Sequence, residues 1–247
     1  MSLPHVLSWA TTHPGAKRSV NQDAFVDRAD LGVWAVADGA GGHQGGEIAS
    51  GMLRQALNGL PGSLQAADLL IRVRQVVANT HESLRRLAEA RGPSVMMAST
   101  VVALIVRDSH YACLWAGDSR AYLLRKGRMH QITHDHSLVQ ELMDTGAITA
   151  AEADSHPHAN IITRAVGAED PVVLDKITDA VRNGDRFLLC SDGLTKTLTE
   201  TEIARLLADD SGAGPTQALI AAAVAQNASD NVTAVAVDVS GVVDTDC

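Results

Sequence analysis

Four aspartates stand in settings that could do chemistry: Asp38 in Val36-Ala37-Asp38-Gly39, Asp118 in Gly117-Asp118-Ser119-Arg120, Asp192 in Cys190-Ser191-Asp192-Gly193, and Asp230 in Ser229-Asp230-Asn231. The first three end or link apolar, strand-like runs, and the fourth precedes one. Two are followed directly by Gly, which lets a backbone come close to something. Oxygen-only ligands at separate strand ends suit Mg²⁺ or Mn²⁺, which take carboxylates and keep several waters. Taken singly, each is also ordinary turn chemistry, and spacing alone does not bring them together. The glycines after Asp38 could cradle a phosphate, but the G-x-G-x-x-G fingerprint fails, because the sixth position from Gly39 is Gln44. A carboxylate in such a loop repels phosphate unless a metal lies between them.

The elements that must position these residues follow from hydrophobic periodicity. Val6 to Thr12 reads as a first strand, and Ala24–Asp27 with Val33–Ala37 reads as a hairpin that delivers Asp38. Two helices are expected at about 44–60 and 64–90, the second with Leu69, Leu70, Val73, Val76, Val77, Leu84 and Leu87 at helical spacing. The stretches 97–106, 111–116, 121–125 and 129–132 are short strands that read as an antiparallel meander. Ser137-x-x-Gln140 opens a helix to Asp144 as a capping box, and 145–160 is a polar, His-rich excursion. Strands at 172–177 and 185–191, helices at 200–208 and 215–226, and a last strand at 232–239 complete the chain. Strands in runs with helices in consecutive pairs point to sheets covered by helices, in one domain.

Composition narrows the function classes. The 247 residues suffice for a large core, which must be aliphatic, since the chain is 46% hydrophobic but only 3% aromatic. A net charge of -9 argues against nucleic acid or an anionic membrane as the main partner. Three widely spaced cysteines, Cys113, Cys190 and Cys247, do not make a disulfide framework. With no signal-like N-terminus and no membrane-length apolar run, a cytoplasmic protein is expected.

Eight short motifs in order resemble the type 2C, metal-dependent protein phosphatases in their compact bacterial form. They are Arg18-x-x-Asn21-Gln22-Asp23, Val36-Ala37-Asp38-Gly39-x-Gly41-Gly42-His43, Ala98-Ser99-Thr100, Gly117-Asp118-Ser119-Arg120, Asp135-His136-Ser137-Leu138-Val139, Ile162-Thr163-Arg164-Ala165-Val166-Gly167, Leu189-Cys190-Ser191-Asp192-Gly193-Leu194 and Ser229-Asp230-Asn231-Val232-Thr233. The resemblance implies an α+β fold, a four-layer αββα sandwich of two antiparallel sheets flanked by helix pairs. It implies one catalytic domain over 1–240 with a flap at about 137–160, and a short tail at 241–247. Asp38 would bridge two divalent metals (Mn²⁺ or Mg²⁺), Gly39 would lend its carbonyl, and Asp192 and Asp230 would complete the second site. Asp118, with Asp192, would hold a weaker third ion. Arg18 would bind substrate phosphate, Asp23, Gln22 and Asn231 would support the ligands and their waters, and His43 is a candidate proton donor. Gln22 stands where Glu is common, Ala40 where Met is usual, and Ser99 where Thr or Gly is frequent.

The implied reaction is hydrolysis of phosphothreonine or phosphoserine in proteins by a metal-activated bridging water, with Arg18 offsetting phosphate charge. The implied partners are a phosphoprotein substrate and a eukaryotic-like Ser/Thr kinase that the enzyme opposes; a monomer is expected. Two other readings stand beside it: a catalytically silent phosphoprotein-binding module and a small-molecule phosphohydrolase. A phosphocysteine route through Cys190 is disfavoured, because Lys196 occupies the place where that chemistry uses Arg. Zinc at His134, Asp135, His136, His156 and His158 lacks a Cys partner and is the weaker reading.

Overall fold

The computed structural model describes residues 4–40, 45–62, 64–153, 156–168, 170–209 and 214–242. One antiparallel sheet has strand order β1 (His5–His13), β11 (Val232–Ser240), β10 (Arg186–Cys190), β7 (Arg120–Arg125) and β8 (Arg128–Gln131). The other runs β2 (Asp23–Arg28), β3 (Val33–Ala40), β5 (Val101–Arg107), β6 (His110–Ala116) and β9 (Asp175–Ala180), with β4 (Ala98–Ser99) beside the end of β3.

The period-2 alternation of each strand sorts its side chains between two layers. Trp34 and Val36 of β3 and Val235, Val237 and Val239 of β11 point between the sheets. There they meet Leu104, Tyr111, Leu123 and Phe187. Tyr111 and Phe187 meet edge-on with ring centres 4.9 Å apart, so few aromatics fill the middle of an otherwise aliphatic core. The alternate residues Val33 and Ala35 face α1 (Gly45–Asn58) and α2 (Ala66–Arg91), against Leu57, Leu69 and Val73. On the other sheet Ala234 and Ala236 face α6 (Glu200–Leu207) and α7 (Pro215–Ala225), against Ile203, Leu207, Leu219 and Ala223. The result is the four-layer αββα sandwich, its helix pairs outermost.

Local chemistry sets the element ends. Thr199 caps α6 in a full capping box with Glu202, and Pro215 opens α7, where its missing N–H costs nothing. At α3 (Leu138–Asp144) only half of the expected box forms. Ser137 accepts the Gln140 N–H at 3.3 Å, but the Gln140 amide donates to Asp144 at 2.9 Å instead of reaching back. The polar excursion after it contains one further helical turn, α4 (Ala150–Ala153).

Three expectations need correction. The strands between 97 and 132 are not one meander: β5 and β6 pair in one sheet, β7 and β8 in the other, and the chain crosses between sheets at 117–119. The run 97–106 is split at Thr100, whose hydroxyl is used by the backbone of β3. The strand expected at 172–177 forms at 175–180, where its register against β6 runs from Trp115↔Asp175 to His110↔Ala180. A one-turn helix, α5 (Asp192–Thr195), was not anticipated and begins on a candidate ligand.

Candidate active site

The four aspartates meet at one end of the sandwich. A pocket of about 360 Å³ is lined by Asp38, Asp118, Asp192 and Asp230 together with Arg18 and Lys196. Each comes from a different strand end or inter-strand loop, so the two sheets share the site.

Asp38 is fixed through its backbone. Its N–H donates to the Thr100 hydroxyl at 3.0 Å, and its carbonyl accepts from the Thr100 N–H at 2.8 Å and the Ser99 hydroxyl at 3.0 Å. The same Thr100 hydroxyl lies 2.7 Å from that of Ser119, one residue after Asp118. Thr100 thereby ties the Asp38 strand to the inter-sheet crossover. Gly117, at φ +114°, is required there, since a Cβ would stand 2.6 Å from the Thr100 side chain. His136 backs this crossover: its Nδ1 accepts the Gly117 N–H at 3.2 Å, and its Nε2 pairs with Asp175 at 3.1 Å.

Asp23 pairs in register with Asp38 and reaches across to the other sheet. Its Oδ2 accepts from Ser191 and Thr233, each at 2.7 Å, while its buried Oδ1 has no hydrogen-bond partner. Asn231 organises the loop that carries Arg18. Its amide donates to the carbonyls of Pro14 at 3.0 Å and Val20 at 2.9 Å, and its Oδ1 accepts the Gln22 N–H at 2.8 Å. Asn231→Ala leaves three backbone groups without partners. It should cost about 2–4 kcal/mol in denaturant unfolding and speed tryptic cleavage at Lys17 and Arg18. An unchanged midpoint would deny Asn231 this role.

The electrostatics record five carboxylates in a small space. Burial raises Asp38 well above the usual carboxylate range, and the charges of Asp23, Asp192, Asp118 and Asp230 raise it further. Burial pushes Asp118 up to about 7, with Asp192 adding and Lys196 opposing. Asp23 rises to about 6 through burial, against the hydrogen bonds from Thr233 and Ser191. Two cations of the chain answer part of this charge: Arg18 lies 3.0 Å from Asp230, and Lys196 donates to Asp192.

Among the described residues no three His, Cys, Asp or Glu side chains are gathered closely enough to ligate a single ion. The donor set nevertheless fits Mg²⁺ or Mn²⁺. It is oxygen only, and buried oxygens of both Asp23 and Asp192 lack any hydrogen-bond partner. Uncompensated buried carboxylates of this kind are what a divalent ion neutralises.

His43, the expected proton donor, lies outside the described residues. Gly39 sits in β3 opposite Ser99, its N–H donating to the Gln22 carbonyl at 3.2 Å. The histidines weighed for zinc have other partners: His134 pairs with Asp144, His136 with Asp175, and His156 stands beside His158 at 5.6 Å between rings. Asp135 forms a bidentate pair with Arg120, whose Nε donates to Oδ1 at 3.0 Å and Nη2 to Oδ2 at 2.7 Å. Cys190 is fully buried, and burial pushes its thiol up to about 12, so it is no nucleophile. Sequence reasoning singled out Lys196 only as a poor substitute for Arg; its signal is the four-residue spacing from Asp192.

The model for the protein phosphatase 2C family matches residues 12–225, and the chain belongs to that family. It is 36% identical over 203 residues to the serine/threonine phosphatase stp of Listeria monocytogenes, covering 79% of this chain and 81% of that protein. A solved structure of PppA, described as a key regulatory component of T6SS in Pseudomonas aeruginosa, superposes with a TM-score of 0.88 at 38% identity, covering 96% of this chain and 99% of that one. The catalytic domain of the phosphatase PstP, solved in complex with two manganese ions, superposes at 0.86 with 33% identity, covering 95% and 98%. The chain spans 44% of the full PstP of Mycobacterium tuberculosis, over which it is 36% identical.

Proposed function

We propose that this chain is a metal-dependent serine/threonine protein phosphatase that hydrolyses phosphothreonine and phosphoserine. The carrying observation is the convergence of Asp38, Asp118, Asp192 and Asp230 with Arg18 on one pocket, in a member of this family. Asp38, Asp192, Asp230 and the Gly39 carbonyl would hold two ions, Mn²⁺ or Mg²⁺. Such ions supply Lewis acidity, which acidifies water near neutral pH and offsets phosphate charge.

The chain's own groups do the rest. Arg18 is half exposed at the pocket rim, and its planar fork can meet two phosphate oxygens once Asp230 no longer claims it. Asp23, in register beside Asp38, keeps one buried oxygen without a partner and can accept a hydrogen bond from a water that reaches it. Thr100, Asn231 and Gln22 hold the backbones that carry these groups. His43 remains the candidate proton donor. Residues 1–240 would act as one catalytic domain, with 137–160 as a flap over the site.

The substrate would be a phosphoprotein made by a Ser/Thr kinase, and the chain would work as a cytoplasmic monomer. Among the described residues no helix is long and apolar enough to cross a membrane, and Cys113 and Cys190 are free thiols.

The test is phosphate release from a phosphothreonine peptide with Mn²⁺, with Mg²⁺ and with chelator, beside nucleoside monophosphates as competing substrates. Metal-dependent turnover of the peptide alone is expected. Turnover of nucleotides alone would reassign the substrate class, and none with any divalent ion would leave a binding module.

A further inference from the structure

How many ions the pocket admits, granted the metal-dependent function on which the question rests, turns on Lys196. It stands four residues after Asp192, so α5 and the turn closing it place both side chains on one face. Its Nζ donates to Asp192 Oδ2 and, at 2.7 Å, to the side-chain carbonyl of Asn160. Asn160 belongs to the segment expected to form the flap. A second cavity of about 690 Å³ adjoins the acidic pocket, and Asp118, Asn160, Asp192 and Lys196 line both, so the ammonium sits in the wall between them.

Arg18 sits apart from Lys196, on Asp230. The two oxygens of Asp192 are therefore unequal. Oδ2 is taken by Lys196, and the buried Oδ1 has no hydrogen-bond partner.

We propose that Lys196 is a resident cation at the Asp118–Asp192 end of the site. It leaves Asp192 Oδ1 for the ions held with Asp38 and Asp230, keeps a third divalent ion out, and latches the 137–160 segment through Asn160. An ion entering at Asp118 must either displace the ammonium from Asp192 or sit beside a like charge. Displacing it also breaks the bond to Asn160, so ion entry and flap release are linked.

The test counts Mn²⁺ bound to the intact chain by equilibrium dialysis, with calorimetric titration for affinities. It compares wild type with Lys196→Met, an uncharged, unbranched side chain one atom shorter, Lys196→Gln and Asn160→Ala. Two ions per wild-type chain are expected, with a third appearing in both Lys196 variants at least about 10-fold tighter than any third ion in wild type. Asn160→Ala should retain a count of two, yet be cut faster by protease within 137–160, as should both Lys196 variants. A third ion bound equally by wild type and the Lys196 variants, or a count of two in all, overturns the proposal while leaving the phosphatase reading intact. A wild-type chain that binds no Mn²⁺ overturns both.

Discussion

Asp38→Asn should abolish metal-dependent phosphate release, by about 10³-fold or more in kcat, and yet make the chelated protein more stable. The activity loss follows from the place of Asp38 among the other carboxylates. An amide oxygen carries no charge and binds a hard divalent ion poorly, and 10³-fold corresponds to about 4 kcal/mol of transition-state stabilisation. The gain in stability has a separate cause. Asp38 is raised well above the carboxylate range by burial and by four neighbouring carboxylates, so without a cation its ionised form costs folding energy at neutral pH. An Asn there carries no charge and offers two N–H groups to those acceptors. A gain of about 1–2 kcal/mol would raise the chelated melting temperature by about 2–8 °C. The pH dependence has a definite sign. A carboxyl whose folded pKa is raised stabilises fully below its unfolded value and loses that contribution as pH climbs through the folded one. With Asp23 at about 6 and Asp118 at about 7, the chelated wild type should lose stability from pH 4 towards 8. The variant should follow a shallower curve, and added Mn²⁺ should flatten the wild-type curve alone. Melting curves across that range with chelator and with Mn²⁺ decide it. A variant that melts lower than wild type in chelator, or that keeps its turnover, would refute the placement of Asp38.

The carboxylates were legible because each stands in turn chemistry that borders an apolar run, three after or between such runs and Asp230 before one. The layers were legible because period-2 strands and period-3.6 helices leave different marks. Where the chain changes sheets was not. β5, β6 and β7 are apolar on both faces, one facing the other sheet and one facing helices, so their sequence does not say which sheet they join. The crossover turns on Gly117 and on Thr100 bonding Asp38, contacts 17 and 62 residues apart in sequence. α5 is a single turn, too short for a helical period to register. Asp23 could be named as a supporting residue, but its role as the bolt between sheets rests on Ser191 and Thr233, 168 and 210 residues away. Lys196 was read against the wrong chemistry, because only the fold sets it beside Asn160.

The second large effect is expected at Gly193, whose φ is unremarkable and whose need for Gly comes from packing alone. A Cβ built there would collide with the Asn231 carbonyl, a backbone atom that has no rotamer to escape through. Gly193 lies between Asp192 and a fully buried Leu194, so the α5 side cannot yield without moving the Asp192 carboxylate or the core. Asn231 cannot yield either, since its side chain holds Pro14, Val20 and Gln22 and its N–H donates to Asp230 Oδ1 at 2.9 Å. Gly193→Ala should thus part Asp192 from Asp230 by a few tenths of an ångström or more, costing about 2–4 kcal/mol of stability and about 10²-fold in activity. Gly51→Ala supplies the contrast. Gly51 lies inside α1, where a new Cβ meets nothing within 4 Å, so alanine there should stabilise by about 0.5–1 kcal/mol and leave turnover unchanged. Denaturant midpoints and Mn²⁺ affinities of the two variants, measured together, separate close packing from a general intolerance of alanine. Equal midpoints, or a Gly193→Ala enzyme with wild-type Mn²⁺ affinity, would mean that the Asp192 and Asp230 loops are not held in register by this contact.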